Sequence, residues 1–171
     1  MNDKSCNEIF SNFEEISNNF NRRNQYFDIL YDSFSSINIS KSHSTEDISV
    51  NLKKSGIVAR TFNGTWNEIA FDDLSDLKKG INKLPKAKNK GEEITEYKGW
   101  KLNKEIIPKI PFSDIPIEEK IDKIREIYNF TQNYDERIVL SRVSYKETNT
   151  TRIFVNNEGS ILRQVIPRVK L

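Results

Sequence analysis

The stretch Gly56–Phe71, GIVARTFNGTWNEIAF, constrains the fold of this chain more than any other. Two apolar runs flank Asn63-Gly64, a dipeptide that accepts positive φ at both central positions of a type I′ turn at little steric cost. A two-residue turn at Asn63 and Gly64 predicts Phe62 opposite Thr65, Val58 opposite Ile69 and Ile57 opposite Ala70. Near the open end, Val58, Ile69 and Phe71 then share one face, and Ile57 and Ala70 share the other. A sheet wet on one side alternates more cleanly, so both faces of this hairpin are expected to be covered. The hairpin is read as the centre of a sheet. No catalytic motif is built on it.

A chain of 171 residues can bury one ordinary core or two small ones. Hydrophobic residues at 36%, with ten Phe and six Tyr, argue for a folded protein even though charged residues reach 30%. A net charge of +2 spread along the chain argues against a nucleic-acid or membrane-surface protein. The start, MNDKSCNEIF, carries acids and no apolar segment, so it does not read as a signal peptide. No apolar run approaches the roughly 20 residues that a membrane span needs. Cys6 is the only cysteine, which excludes an internal disulfide and fits a reducing compartment. The Asn-x-Ser/Thr sequons, such as those at Asn63 and Asn149, are attributed to the abundance of Asn. A cytoplasmic protein is expected.

Cys6, Phe10, Phe13, Ile16 and Phe20 recur at steps of three and four, which predicts a helix from about Ser5 to Arg22. From Tyr26 the period becomes two: Phe27, Ile29 and Tyr31 alternate with Asp28, Leu30 and Asp32, and Ile37 and Ile39 keep the odd phase. Ser33 to Ser36 are expected to bend or break this strand. Lys41–Thr45 reads as a turn, Ile48, Val50 and Leu52 mark the next strand, and Lys53-Lys54-Ser55-Gly56 is expected to turn into the central hairpin. Leu74, Leu77, Ile81 and Leu84 then predict a helix opened by Asp72-Asp73 and stopped by Pro85. Residues 86–112 lack periodicity and read as a linker or long loop.

A third helix is expected from Pro116, with Ile117, Ile121, Ile124 and Tyr128 inward and a Glu119–Lys123 pair one turn apart. The runs RIVLSRVSYKE, TTRIFVN and SILRQVIPRVKL follow, and short connections at Thr148–Asn149 and Asn157–Gly159 predict an antiparallel meander. The fold class is therefore α+β: a helix plus antiparallel sheet, a linker, then a second helix plus antiparallel strand meander. The expected divisions are residues 1–85, a linker at 86–112, and 113–171, the last cut off in mid-strand. Pro167 cannot donate a ladder hydrogen bond and is expected at an edge, bulge or bend. Val169 and Leu171 are expected to be poorly buried, on an open sheet edge that promotes self-association.

Residues that could carry chemistry are few. His43 is the only histidine, and no second His or Cys accompanies it to make a metal site. Cys6 reads as a small core residue. The six glycines form no phosphate loop or dinucleotide fingerprint. Asp72-Asp73 and Glu118-Glu119 could be imagined as acid and base, but helix capping explains both. The run Lys83–Lys90 with Tyr97 and Trp100 could bind single-stranded nucleic acid; Glu92, Glu93 and Glu96 favour a solvated linker. Trp66 is placed beside the hairpin turn on the face of Ile57, Ala59 and Ala70, either packed or forming a binding surface.

The wording of both halves resembles one family. YFDILYDSFSSINIS and SGIVARTFNGTWNEIAFDDLSDL are similar to the N-terminal domain of the TldD/PmbA family, historically labelled modulators of DNA gyrase. Gly56-Ile57-Val58-Ala59-Arg60 and Trp66-Asn67-Glu68-Ile69-Ala70 stand where that family has two strands, although it prefers Gly and an aromatic at Asn67-Glu68-Ile69. Further matches are Glu118-Glu119-Lys120-Ile121, Asp135-Glu136-Arg137-Ile138, Tyr145 and, most specifically, Phe154-Val155-Asn156-Asn157-Glu158-Gly159-Ser160. The resemblance implies metallopeptidases, or their inactive partners, that form homo- or heterodimers around an enclosed cavity for an extended peptide substrate. Zinc is implied for the full-length enzyme, held by a His-Glu-x-x-x-His helix in a C-terminal domain. This chain has no such motif, so no catalytic, cofactor or metal residue carries over, and it is expected to be inactive alone. The implied function is the non-catalytic N-terminal portion of such a peptidase, with neither nucleic acid nor membrane as partner. The alternative is a free-standing interaction module with the same fold and no enzyme activity.

Overall fold

The computed structural model describes residues 11–12, 26–62, 64–72, 76, 79–80, 83 and 99–171. The expected first helix lies outside them except at residues 11–12, and the expected second helix is described only at residues 76, 79, 80 and 83. Cys6 and Asn63 also lie outside.

Six strands form one sheet in the order β3-β2-β1-β5-β6-β4. They are β1 (Tyr26–Ser42), β2 (Glu46–Phe62), β3 (Trp66–Phe71), β4 (Lys101–Glu105), β5 (Arg142–Asn156) and β6 (Ile161–Lys170). The helix α1 (Ile117–Gln132) is the one long helix described in full. Among the described residues no helix is long and apolar enough to cross a membrane.

This corrects the expected fold class of two helix-plus-antiparallel-sheet halves. The strands anticipated as two separate sheets belong to one, because β1 and β5 are neighbours. Asp32 accepts from Arg152 at 2.6 Å, and the Phe27 carbonyl accepts from the Asn157 N–H at 3.0 Å. The partner numbers fall on one strand as they rise on the other, so β1 and β5 run antiparallel. The sheet is nevertheless mixed. Ile161 N–H donates to the Trp100 carbonyl and Ile106 N–H to that of Val165, so β4 runs parallel to β6. β4 comes from the stretch read as a linker, where its sequence KLNKE gives no alternation and all five residues are exposed. Unpaired strand edges leave backbone donors and acceptors without partners, which is why edges separate in sequence find each other.

Three expected turns are absent. Ser33 and Ser36 are buried inside an unbroken β1, where the Asn51 amide donates to Ser36 Oγ at 3.0 Å. The Lys53–Gly56 stretch continues β2 in extended form, and Gly56 does not take positive φ. Thr148 and Asn149 lie within β5, so two anticipated strands are one. The turn after Ser42 does form, closed by Ser42 N–H to the Thr45 carbonyl at 2.8 Å.

The hairpin forms with a register one residue away from expectation. Phe62 pairs with Trp66, Val58 with Ala70 and Ile57 with Phe71. Three residues, 63–65, therefore join the strands, and Gly64 takes φ +94°. A slip of one residue exchanges the faces. Ile57, Ala59, Thr61, Ile69 and Phe71 now share a face, and Trp66 lies on the other with Phe62, Arg60 and Val58. Beyond this hairpin, β6 stands between β5 and β4 in the strand order, and the short β4 accompanies only its first half, as far as Val165. Pro167 lies two residues past Val165, whose carbonyl takes the hydrogen bond from Ile106 just after β4. Val169 and Leu171 are exposed as expected, at 50% and 69%.

The chain divides into two units that each draw on three stretches. The first comprises residues 1–33, 55–105 and 151–164. Its core is apolar: Phe27, Ile29, Tyr31, Ile57, Ala59, Ile153 and Val155 are buried together, with Ile69, Phe71 and Ile161 against them. Their period of two on β1, β2 and β5 puts one apolar face on the sheet. The second unit comprises residues 34–54, 106–150 and 165–171. Its buried apolar residues are Ile39, Ile124 and Tyr128. Helix α1 starts after Pro116, with Glu118 and Glu119 in its first turn, where carboxylates favour the free N–H groups. Lys123 pairs with Glu126 at 2.7 Å rather than with the expected Glu119.

Candidate functional site

Trp66 opens the short edge strand β3 and is held on three sides in the first unit. Its cross-strand partner Phe62 lies with ring centroids 5.2 Å apart, and Tyr26 meets it edge-on at 5.6 Å and 75°. The Arg60 guanidinium stands 6.0 Å from the Trp66 ring. That guanidinium is fixed by a fork: its Nε and Nη2 donate to the two carboxylate oxygens of Asp28, each at 2.8 Å. Asp28 is fully buried, so Arg60 satisfies a charge that water does not reach. The Arg60 hydrogen bond to Asp28 also raises its own pKa. Burial, and next the Asp28 carboxylate, push the Tyr26 phenol up to about 12, so it stays protonated at neutral pH.

Despite these contacts Trp66 is 59% exposed. The arrangement is an oriented aromatic plate beside a fixed cation. Such a surface receives an apolar or aromatic side chain with little loss of rotamer freedom. Trp66 is thus brought together with Phe62, Tyr26 and Arg60, and not with Ile57 and Ala59 as the two-residue turn implied. The period of β1 could have flagged Asp28, an acid between the core residues Phe27 and Ile29. Its partner could not be read, because Arg60 lies 32 residues away.

The segment Asn156–Ser160 makes the turn between β5 and β6. The Asn156 side chain accepts from Ser160 N–H at 2.8 Å and donates to Glu158 at 3.1 Å, while Gly159 takes φ +87°. Asn157 Oδ1 accepts the Phe27 N–H at 3.0 Å and so anchors the turn to the start of β1. Gly99 lies so close that a Cβ there would collide with the Gly159 and Ser160 backbone. Each polar residue of this segment has a structural task.

In the second unit, Lys120 is buried and donates to both oxygens of Glu147, at 3.1 and 2.9 Å, and to the Phe112 carbonyl at 2.9 Å. Tyr145 Oη donates to Glu147 at 2.6 Å; burial and then this bond raise the pKa of its phenol. Lys120 sits four residues before Ile124 and eight before Tyr128, so helical phase alone could have placed it inward. All three Lys120 ammonium donors are used, which makes the group a clamp between helix and strand rather than a reactive amine.

The other sequence candidates stay apart from these groups. His43 is exposed in the turn between β1 and β2, and Trp100 is 66% exposed with its N–H given to Ser160 Oγ. The Lys83–Lys90 run lies outside the described residues except at Lys83. A catalytic zinc needs about three protein donors. Among the described residues no three of His, Cys, Asp and Glu are grouped to supply them.

Residues 110–171 match the family described as the PmbA/TldA metallopeptidase central domain. No curated protein matches the chain. Several solved structures share its fold. A candidate modulator of a DNA gyrase from Thermotoga maritima aligns at TM-score 0.68 and 15% identity, over 95% of this chain and 38% of that one. A candidate modulator of DNA gyrase from Bacteroides thetaiotaomicron gives 0.66 and 17%, over 97% and 40%. TldE from Thermococcus kodakarensis gives 0.63 and 14%, over 93% and 37%. The chain spans about two fifths of the length of these relatives. Residues 110–171 are thus similar to the central domain of the PmbA/TldA metallopeptidases, and the chain shares the fold of these three solved structures.

Proposed function

We propose that this chain is a non-catalytic portion of a TldD/PmbA-type metallopeptidase in the cytoplasm, helping to form subunit contacts and to enclose a peptide-binding cavity. The central-domain match over residues 110–171 supports this reading, since that segment is similar to part of a metallopeptidase and its carboxylates are not grouped in threes as a zinc site would need. The Trp66 surface is the residue-level element: an exposed aromatic braced by Phe62, Tyr26 and Arg60 is built like an interface anchor. On this reading zinc, and the nucleophile it activates, belong to a longer partner chain of the same family, and this chain positions without cleaving.

The experiment is co-purification with a full-length family member that carries a His-Glu-x-x-x-His segment. Association is expected in sedimentation, together with peptide cleavage that this chain alone lacks. Trp66→Ala should weaken association about tenfold or more without loss of folding, as for an interface anchor. Failure to associate, with unrelated proteins captured through the same Trp66 surface, would favour a free-standing interaction module.

A further inference from the structure

An open cleft of about 440 Å³ lies within the second unit, across the neighbouring strands β1, β5 and β6. Its charged lining residues are Lys146, Arg168 and Lys170, and no carboxylate lines it. Among the described residues none of these three makes an ion pair or side-chain hydrogen bond. Other cations of the same unit do: Lys41 and Arg125 pair with Glu46, Lys120 with Glu147, and Lys123 with Glu126. Like charges gathered without counter-charges repel one another and set up a positive field that an anion relieves.

The remaining lining decides which anion. Phe34 and Val169 stand 46% and 50% exposed, an apolar contribution that bare phosphate would not use. Thr148 and Thr150 also line the cleft, two residues apart on one strand, and so repeat with the period of an extended chain. A nucleic acid engages cations repeated along a track of phosphates, whereas these three are confined to one cleft of small-ligand size. We propose that this cleft binds an extended acidic peptide segment. Its carboxylates meet Lys146, Arg168 and Lys170, and an apolar side chain between them rests on Phe34 and Val169. The proposal stands on the second unit alone and does not need the peptidase reading.

The test is fluorescence anisotropy at low salt with three labelled probes: a Glu-rich peptide containing one Leu, its Gln counterpart, and an oligothymidylate. The Glu peptide should bind, and the Gln peptide should bind about tenfold more weakly or not at all. Joint replacement Lys146→Gln, Arg168→Gln and Lys170→Gln should abolish binding while leaving the thermal midpoint of this chain unchanged. Phe34→Ala should weaken binding about threefold. The pair Lys101→Gln and Lys104→Gln on β4 should leave it intact. Equal loss from that β4 pair would reduce the effect to general charge and overturn the proposal. Tighter binding of oligothymidylate through the same three cations, or no binding of the Glu peptide, would also overturn it.

Discussion

The two units are held together by different chemistry. The first has a continuous apolar face of seven buried residues on β1, β2 and β5. Among its ion pairs, Asp28–Arg60 joins a fully buried acid to a partly exposed base on the other face of β1. The second has three buried apolar side chains and the Lys120–Glu147 pair, of which both members are buried. Apolar burial is non-directional, so the first unit gains stability from whatever apolar surface its strands present. A buried ion pair repays its desolvation only with near-ideal geometry and satisfied hydrogen bonds. The second unit therefore depends on position where the first depends on area.

The largest effect should come from the first core. Phe27→Ala is expected to cost about 4 kcal/mol by chemical denaturation, because it removes a fully buried ring and leaves a cavity. A cost below about 1 kcal/mol would break the contrast, since it would mean that this core repacks freely.

In the second unit, Lys120→Met is expected to cost about 3 kcal/mol, because Glu147 loses its counter-charge while buried. Adding Glu147→Leu should recover most of that loss. If the double variant is no more stable than the single one, specific charge placement is not what holds α1 to β5.

A smaller effect compares two glycines at the β5–β6 turn. Gly159→Ala meets no neighbouring atom and should cost only the positive-φ penalty, about 1 kcal/mol. Gly99→Ala should cost more, because its Cβ collides with the Gly159 and Ser160 backbone. Equal melting shifts for the two variants would show that this close approach is not needed.

Two titrations distinguish the units further. Tyr26 ionises at about 12 in the folded state against 10.0 ordinarily. The folded state then holds its proton more tightly, so the stability linked to Tyr26 is fully present below pH 10 and is lost as pH rises through about 12. Difference spectra of the protein against its Tyr26→Phe variant should show a phenolate transition at the higher value. Asp28→Asn should lower it. The weakest effect belongs to the exposed Glu46–Arg125 pair, where the Arg125 hydrogen bond lowers the Glu46 pKa below 4.5. Its contribution is present above pH 4.5 and is lost as pH falls through the lowered folded value. The stability difference between the protein and Arg125→Ala should fade across that acid window, and a difference that grows there would have the wrong sign.

Local pattern by itself determined a good deal. Period two on Tyr26–Tyr31 identifies β1, the sequence around Asn63-Gly64 identifies a hairpin, and the 117/121/124/128 spacing identifies α1. The similarity to TldD/PmbA chains was also readable, in the Asn156–Ser160 wording above all. Only the tertiary structure decided which strands are neighbours. Pairing of β1 with β5, or of β4 with β6, depends on backbone groups that every residue carries, so side-chain pattern does not encode it strongly. The hairpin register turned on one extra loop residue, and that residue set which face Trp66 occupies. The candidate surface followed from it, because Arg60 and Tyr26 reach Trp66 only from the face it shares with Phe62. Lys120 could have been placed inward by phase, yet its partner Glu147 lies 27 residues on. A buried charge shows its purpose only when the group opposite it is in place.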